Sequence, residues 1–140
     1  MNAYLNSYQQ NQVVTASPEQ ILIMLYDGAI RFVRQAQGAL SAGDRKTKMM
    51  AIQKAVNIIT EFRNTLDHEV GGEIAVNLDA LYDYLLRELI RANVGNEAKP
   101  LEIVEGHLSG LREAWVQAIE NNRAAQKAGQ PEAKSLQAAL

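Results

Sequence analysis

Apolar residues recur at intervals of three and four through four long segments of the chain, which is the spacing of one face of an α-helix. The first segment, residues 17–40, opens with a recognisable helix start. Ser17 can accept hydrogen bonds from the first turn, Pro18 suits the first helical position, and Gln20 stands where a capping-box side chain reaches back. Its apolar stripe consists of Leu22, Leu25, Ala29, Phe32, Val33, Ala36 and Leu40. The pattern therefore predicts a well-defined first helix.

The other three segments repeat this period. A second helix is predicted from a cap at Asp44 to near Asp67, a third over about 72–93, and a fourth from Pro100 onward. The connections between them are short, which favours antiparallel neighbours, and no stretch alternates with the period of a strand. We therefore predict an all-α antiparallel four-helix bundle over residues 17–128.

The two ends of the chain lack this pattern. Residues 1–16 are rich in Asn and Gln and carry Tyr4, Leu5 and Tyr8, which share one face if they are helical. Two interpretations stay open: a frayed terminus, or an arm that covers an apolar surface as a lid until a ligand displaces it. Residues 129–140 form an Ala-rich tail, which we expect to be mobile.

The first helix carries more apolar surface than one neighbour can bury. Five apolar residues fall outside its main stripe: Ile21, Ile23, Met24, Tyr26 and Ile30. Either this helix is central and is contacted from several sides, or part of its surface is kept for a partner.

Three glycines within predicted helices also need a reason. Gly28 interrupts the first helix, and Gly106 and Gly110 lie four apart in the fourth, away from its apolar seam. The pair either packs closely on a neighbouring helix or opens a shallow track where an extended segment can approach. Asp27 is either a solvated edge residue or a buried hydrogen-bonding partner.

Composition narrows the classes of protein to which the chain can belong. The chain has 140 residues, no cysteine and a formal net charge of −2, which fits one domain without disulfides and leaves no electrostatic footprint for nucleic acid. The longest unbroken apolar run is residues 21–26, and no Lys or Arg precedes Arg31. These features argue against a signal peptide or membrane insertion, and the expected location is the cytoplasm.

The sequence lacks recognisable catalytic and metal-binding motifs, which favours a protein that is not an enzyme. His68 and His107 lack the Glu three residues earlier that a di-iron bundle site would need, so we expect no metal and no cofactor. Serine-nucleophile and phosphate-loop motifs are also missing from the sequence.

Short motifs in a fixed order nevertheless identify a family resemblance. They are YQQN at 8–11, TASP at 15–18, LYDGAIRF at 25–32, NII at 57–59, NL at 77–78, LYDY at 81–84, AN at 92–93 and LREAW at 111–115. Together they resemble the flagellin-specific export chaperones, the FliS family, over nearly the whole chain. The motif positions that we assign to the core and family pattern are Leu25, Tyr26, Asp27, Gly28, Tyr82 and Trp115.

The resemblance implies a cytosolic helical bundle that binds the disordered C-terminal region of flagellin and prevents its premature polymerisation. It also implies delivery of flagellin to the flagellar type III export gate, with Tyr8 resembling a family tyrosine tied to engagement of the gate protein. In this family the client wraps over apolar grooves, and the N-terminal arm occupies part of that surface when no client is bound.

The apolar residues in excess of the core are our candidates for the flagellin-binding groove, since amphipathic clients are recognised at helical spacing. They are Ile21, Met24, Ile30, Ile58, Tyr84, Leu86, Ile90 and Ile103. We expect a monomer or a homodimer that exchanges residues 1–16. Two alternative functions stay open: a self-assembling helical-bundle scaffold, and a regulator that sequesters another flagellar component such as an anti-sigma factor.

Overall fold

The computed structural model describes residues 16–129 and 131–140, which contain six helices and no strand. The helices are α1 (Pro18–Ala42), α2 (Arg45–Asn64), α3 (His68–Gly71), α4 (Glu73–Gly95), α5 (Ala98–Lys127) and α6 (Lys134–Ala139). The four long ones, α1, α2, α4 and α5, confirm the predicted helical bundle. None of the described helices combines the length and the hydropathy that a membrane span requires. Residues 1–15 of the predicted N-terminal arm lie outside these ranges.

The helix starts follow the local sequence. The Ser17 backbone N–H donates to Gln20 Oε1 at 2.9 Å and the Gln20 N–H donates to Ser17 Oγ at 3.1 Å, which completes the predicted capping box. Gly43 ends α1 with φ of 73°, a left-handed conformation that suits glycine. Asp44 then caps α2 by accepting from the Thr47 N–H at 3.1 Å.

Some boundaries differ from the prediction. Helix α2 ends at Asn64, and Asp67 caps the additional short helix α3 by accepting from the Val70 N–H at 3.0 Å. Helix α5 begins two residues earlier than predicted, so Pro100 lies in its first turn, where its missing N–H costs no intrahelical hydrogen bond.

Each long helix packs on two others: α1 and α4 both pack on α2 and on α5. Pairs such as Arg34 with Glu105 at 2.6 Å and Arg63 with Asp79 at 2.7 Å join early residues of one helix to late residues of its neighbour. This pairing shows that adjacent helices run antiparallel, and the arrangement leaves four grooves on the outside of the bundle.

Aromatic side chains from all four long helices meet in the core. The Tyr26 and Tyr82 hydroxyls lie 2.6 Å apart, and Trp115 Nε1 donates to the Tyr26 hydroxyl at 3.1 Å. Phe62 of α2 stacks on Tyr26 with the ring centroids 4.4 Å apart. Burial raises the pKa of both tyrosines above the ordinary value, so the neutral phenols are the forms that this core holds.

Lys48 closes one end of the bundle. Its ammonium group donates to the Asn93 carbonyl oxygen at 2.9 Å and also to the Asn96 side-chain oxygen. Although it belongs to the basic start of α2, the whole residue is only 3% exposed. The buried cation lies beside the last carbonyls of α4, where a positive charge is favourable.

The C-terminal tail contains a helix that the sequence pattern did not predict. Residues 134–139 form α6, whose Leu136 and Ala138 are fully buried against the bundle. The Ala-rich composition hid this contact, because only one large apolar side chain anchors the segment and its partners are distant in sequence.

Candidate docking surface

An open groove lies between the N-terminal part of α1 and the C-terminal part of α5. It has a volume of about 610 Å³. Its apolar lining comes from Ile23 and Met24 on one side and from Val116 and Ile119 on the other. Glu19 and Arg123 bridge one end of it, with the carboxylate and guanidinium 3.3 Å apart. This is an apolar trough with a charged rim.

The described chain enters this groove at Ala16, which is one of its lining residues. Ala16 directly follows residues 1–15, so the N-terminal segment is attached at the edge of the cavity.

A second apolar surface lies between α1 and α2. A Cβ placed on Gly28 would lie 3.5 Å from Ile58 Cδ1, an ordinary contact distance, so the Ile58 side chain lies over Gly28 of α1. Ile21, Leu25 and Phe32 share the Gly28 face of α1 by their spacing of three or four residues. The Lys54 ammonium lies 5.3 Å from the Phe32 ring centroid, which is a cation–π distance.

A third surface lies between α4 and α5. The Tyr84 and His107 rings meet edge to face with centroids 5.9 Å apart. Ile103 stands one helical turn before His107, so both lie on the same side of α5. Tyr84 and Ile103 are partly buried, and His107 is exposed.

The remaining candidates on α4 lie on another side of that helix. Leu86 is partly buried against the core, whereas Ile90 is 57% exposed. Asp79 and Asp83, which precede Leu86 and Ile90 by seven residues each, both pair with Arg63 of α2. Helical periodicity therefore places Leu86 and Ile90 at the α2 side of α4.

Two of the sequence assignments need correction. Ile30 is 6% exposed and belongs to the core cluster, because α1 is contacted from both sides at this level. Leu25, which was assigned to the core, is 36% exposed and lies on the outer part of α1. Of the other residues assigned to the core and family pattern, Tyr26, Gly28, Tyr82 and Trp115 are buried and Asp27 is exposed.

The two open questions on glycine and Asp27 also have structural answers. Gly106 and Gly110 are exposed, and a Cβ placed on either would meet nothing within 4 Å, so no helix of the described chain packs on them.

Asp27 is an edge residue that accepts from Arg112 of α5. This hydrogen bond raises the pKa of the Arg112 guanidinium, with the charge of the same carboxylate as a further cause.

A second ion pair ties α1 to α5 further along. Arg34 lowers the pKa of the Glu105 carboxyl by hydrogen bonding, and Gln37 donates to the same carboxyl at 3.3 Å. Since the folded-state pKa is lowered, this pair contributes stability above the ordinary Glu pKa of about 4.3, and the contribution is lost as the pH falls through the lowered value.

Sequence reasoning did not select Ile23, Val116, Ile119 and Arg123, which line the α1/α5 groove. Ile23 gave a usable signal because it falls outside the stripe of α1. Ile119 and Arg123 lie beyond Ala118, the last residue of the predicted seam of α5, and Val116 lies beside that seam, so the sequence pattern selected none of the three.

The described surfaces are apolar and carry charged or aromatic groups at their edges. Within the described ranges no group of three or more His, Asp or Glu side chains could hold a metal ion. His68 and His107 are both exposed and lie on separate elements. The described part of the molecule therefore belongs to the class of helical bundles whose distinctive features are apolar grooves on the outside.

Comparisons with known proteins specify this class. The model of the family described as Flagellar protein FliS matches residues 1–122. The chain is 45% identical to the Flagellar secretion chaperone FliS of Salmonella typhimurium over 118 residues, which cover 84% of this chain and 87% of that protein. It is 40% identical to the protein of the same name from Bacillus subtilis over 117 residues, covering 84% and 86%.

The match to a more distant relative extends over almost the full length of that protein. The Flagellar secretion chaperone FliS of Campylobacter jejuni is 35% identical over 125 residues, which cover 89% of this chain and 98% of that protein. The chain belongs to the FliS family, which confirms the resemblance noted from its motifs. These relatives are named as chaperones rather than as enzymes.

Proposed function

We propose that this chain is a cytosolic, non-enzymatic chaperone that binds the disordered C-terminal region of flagellin. By holding that region it prevents premature polymerisation, and it delivers the subunit to the flagellar type III export apparatus. The observation that carries the proposal is the apolar α1/α5 groove on a bundle whose relatives are named flagellar secretion chaperones.

The distribution of the apolar surfaces suits a disordered client. Ordering a chain costs about 1–2 kcal/mol for each fixed backbone residue, so a client must bury apolar side chains along much of its length. The described bundle offers apolar surfaces at α1/α5, α1/α2 and α4/α5, and Leu86 and Ile90 add a fourth at α2/α4. A segment that wraps around the bundle can use all of them.

The groove residues of this proposal follow from the corrected assignment. We include the partly buried or exposed candidates and the lining residues that the structure adds, and omit the buried Ile30. The set is Ile21, Ile23, Met24, Ile58, Tyr84, Leu86, Ile90, Ile103 and Val116, without Ile119, which is 7% exposed and belongs to the core cluster as Ile30 does.

The N-terminal arm is the proposed competitor of the client. Residues 1–15 lead into Ala16 at the edge of the α1/α5 groove, so the attachment point suits an arm that covers this surface. Tyr8 is the proposed contact of the arm with the export gate protein. A client that displaces the arm would free Tyr8 for that contact.

The test is titration calorimetry of the full chain with a flagellin C-terminal segment of about forty residues, repeated after deletion of residues 1–15. Burial of apolar surface with coupled folding should give one-to-one binding with a large negative heat-capacity change. Removal of the arm should tighten the binding, because the groove is then free. A scrambled segment of the same composition is the matched control.

Two results would contradict the proposal. Absence of binding by the folded full chain and by the deletion variant would reject flagellin as the client. Binding that the deletion leaves unchanged would reject the lid while keeping the client.

Self-assembly is the second candidate, and the exposed apolar side chains near one end of the bundle favour it. Met49 and Met50 lie near the start of α2, and Ile90 and Val94 lie near the end of the antiparallel α4. All four residues are more than half exposed. Sedimentation at several concentrations separates the candidates, since a stable dimer that ignores the flagellin segment supports self-assembly.

A further inference from the structure

Helix α6 docks where α3, the start of α4 and the end of α5 meet. Its contact with α3 is unusually close. A Cβ placed on Gly71 would lie 2.5 Å from the Ala138 Cβ, which is closer than real side chains approach. Gly71 and Ala138 are both buried, so the absence of a side chain on Gly71 makes this seat possible.

Two hydrogen bonds fasten the segment at its two ends. The Ala133 N–H donates to Asn122 Oδ1 of α5 at 3.1 Å. The Asp67 N–H, at the connection between α2 and α3, donates to the Ala138 carbonyl oxygen at 3.0 Å. The segment therefore bridges α5 and a connection that is distant in sequence.

Docking is what makes α6 helical. It has six residues and no side-chain hydrogen bond at its N-terminus, and isolated helices of this length are unstable in water. Its structure depends on the burial of Leu136, so α6 belongs to the part of the fold that opens most easily.

The α5 turn that holds α6 also forms a wall of the α1/α5 groove. Asn122 is buried. Ile119 and Arg123, which lie on either side of it in the sequence of α5, both line the groove. Arg123 in turn pairs with Glu19 of α1. A change in the order of this turn therefore reaches the groove directly. The family match ends at residue 122, so α6 lies beyond the matched region.

We propose that α6 is a clamp that holds the last turns of α5 in place and thereby sets the affinity of the α1/α5 groove. The inference about affinity rests on the proposed client-binding function, whereas the clamp itself does not. Undocking of α6 removes the contacts of Leu136 and Ala138 and the hydrogen bond to Asn122. The groove wall then loses its support from the C-terminal side.

The test compares Leu136→Asp with Gln137→Asp in the full chain. Leu136 is fully buried and Gln137 is exposed on the same helix, so the second variant adds the same charge without breaking the contact. Hydrogen exchange is measured on peptides from 116–127, with 82–92 as the internal reference. Binding of the flagellin C-terminal segment is measured in parallel.

The expected result for Leu136→Asp is faster exchange in 116–127, unchanged exchange in 82–92, and binding weaker by about fivefold or more. Gln137→Asp should match the unaltered chain in all three readouts. If Leu136→Asp unfolds the chain, Gly71→Ala replaces it in the test. The Cβ added at position 71 should displace Ala138, and therefore α6, without burying a charge. It should shift the same peptides in the same direction.

If Leu136→Asp leaves hydrogen exchange in 116–127 unchanged, the clamp is overturned, and this holds for any client. Tighter binding by the undocked variant would also overturn it and would make α6 a competitor for the groove. Failure of the unaltered chain to bind the segment would reject the proposed function, while the exchange comparison would still decide the clamp.

Discussion

At the scale of single residues, Tyr26 shows what periodicity can and cannot predict. It falls outside the main apolar stripe of α1, yet it is fully buried and joins α1 to α4 and α5 through its hydroxyl. Its partners are 56 and 89 residues away in sequence, so no local pattern could pair them. A buried hydroxyl without a partner is costly, so the pairing with Tyr82 favours one arrangement of the helices.

Tyr82→Phe should lower the free energy of unfolding by about 1–2 kcal/mol, because it removes a partner from a buried hydroxyl and leaves Tyr26 with only Trp115. Tyr84→Phe is the matched control, since Tyr84 is partly exposed and contacts His107 through its ring. Urea denaturation followed by circular dichroism provides the measurement. Equal midpoints for the two variants would show that the hydroxyl pair adds nothing to stability.

At the scale of elements, the sequence predicted what is locally encoded. The Ser17 and Asp44 caps bond to residues three positions away, so the starts of α1 and α2 could be inferred from the sequence alone. Helices α3 and α6 escaped prediction because each is too short for periodicity to reveal. Their order comes instead from contacts across the fold, such as Gly71 with Ala138.

The exposed glycines of α5 lead to a second prediction. Gly106→Ala and Gly110→Ala should each raise the free energy of unfolding by about 0.5–1 kcal/mol, because alanine restricts the unfolded chain and the added methyl group meets no neighbour. Gly43→Ala is the control, since its φ of 73° should make alanine destabilising there. The changes are measured by urea denaturation. Destabilisation by both α5 variants would refute the free face that the structure gives this helix.

At the scale of the whole molecule, the sequence predicted the bundle but not the grouping of its outer apolar residues. Met24 was assigned to the surface, and it lies in the α1/α5 groove. Ile58 lies on the α1/α2 side and Tyr84 on the α4/α5 side. Periodicity gives the face of each helix on which a residue lies, but the neighbour across that face depends on how the helices pack.

This distribution predicts how a wrapped client responds to substitution. Met24→Asp and Ile58→Asp each place a charge on a different groove, so each should weaken flagellin-segment binding by about tenfold. Because the two contacts are separate, the double variant should lose about a hundredfold, with additive free energies. Calorimetry measures the affinities, and circular dichroism should show near-normal helicity.

Gln35→Asp and Asn57→Asp are the matched controls, since both residues are exposed on the same two helices. They should bind as the unaltered chain does, because they add the same charge outside the apolar surfaces. A client that occupies only one groove would leave one of the two apolar variants without effect, and that result would contradict wrapping. An unfolded Ile58→Asp chain would instead place Ile58 among the residues that hold the core, because a partly buried side chain over Gly28 contributes to the packing of α1 on α2.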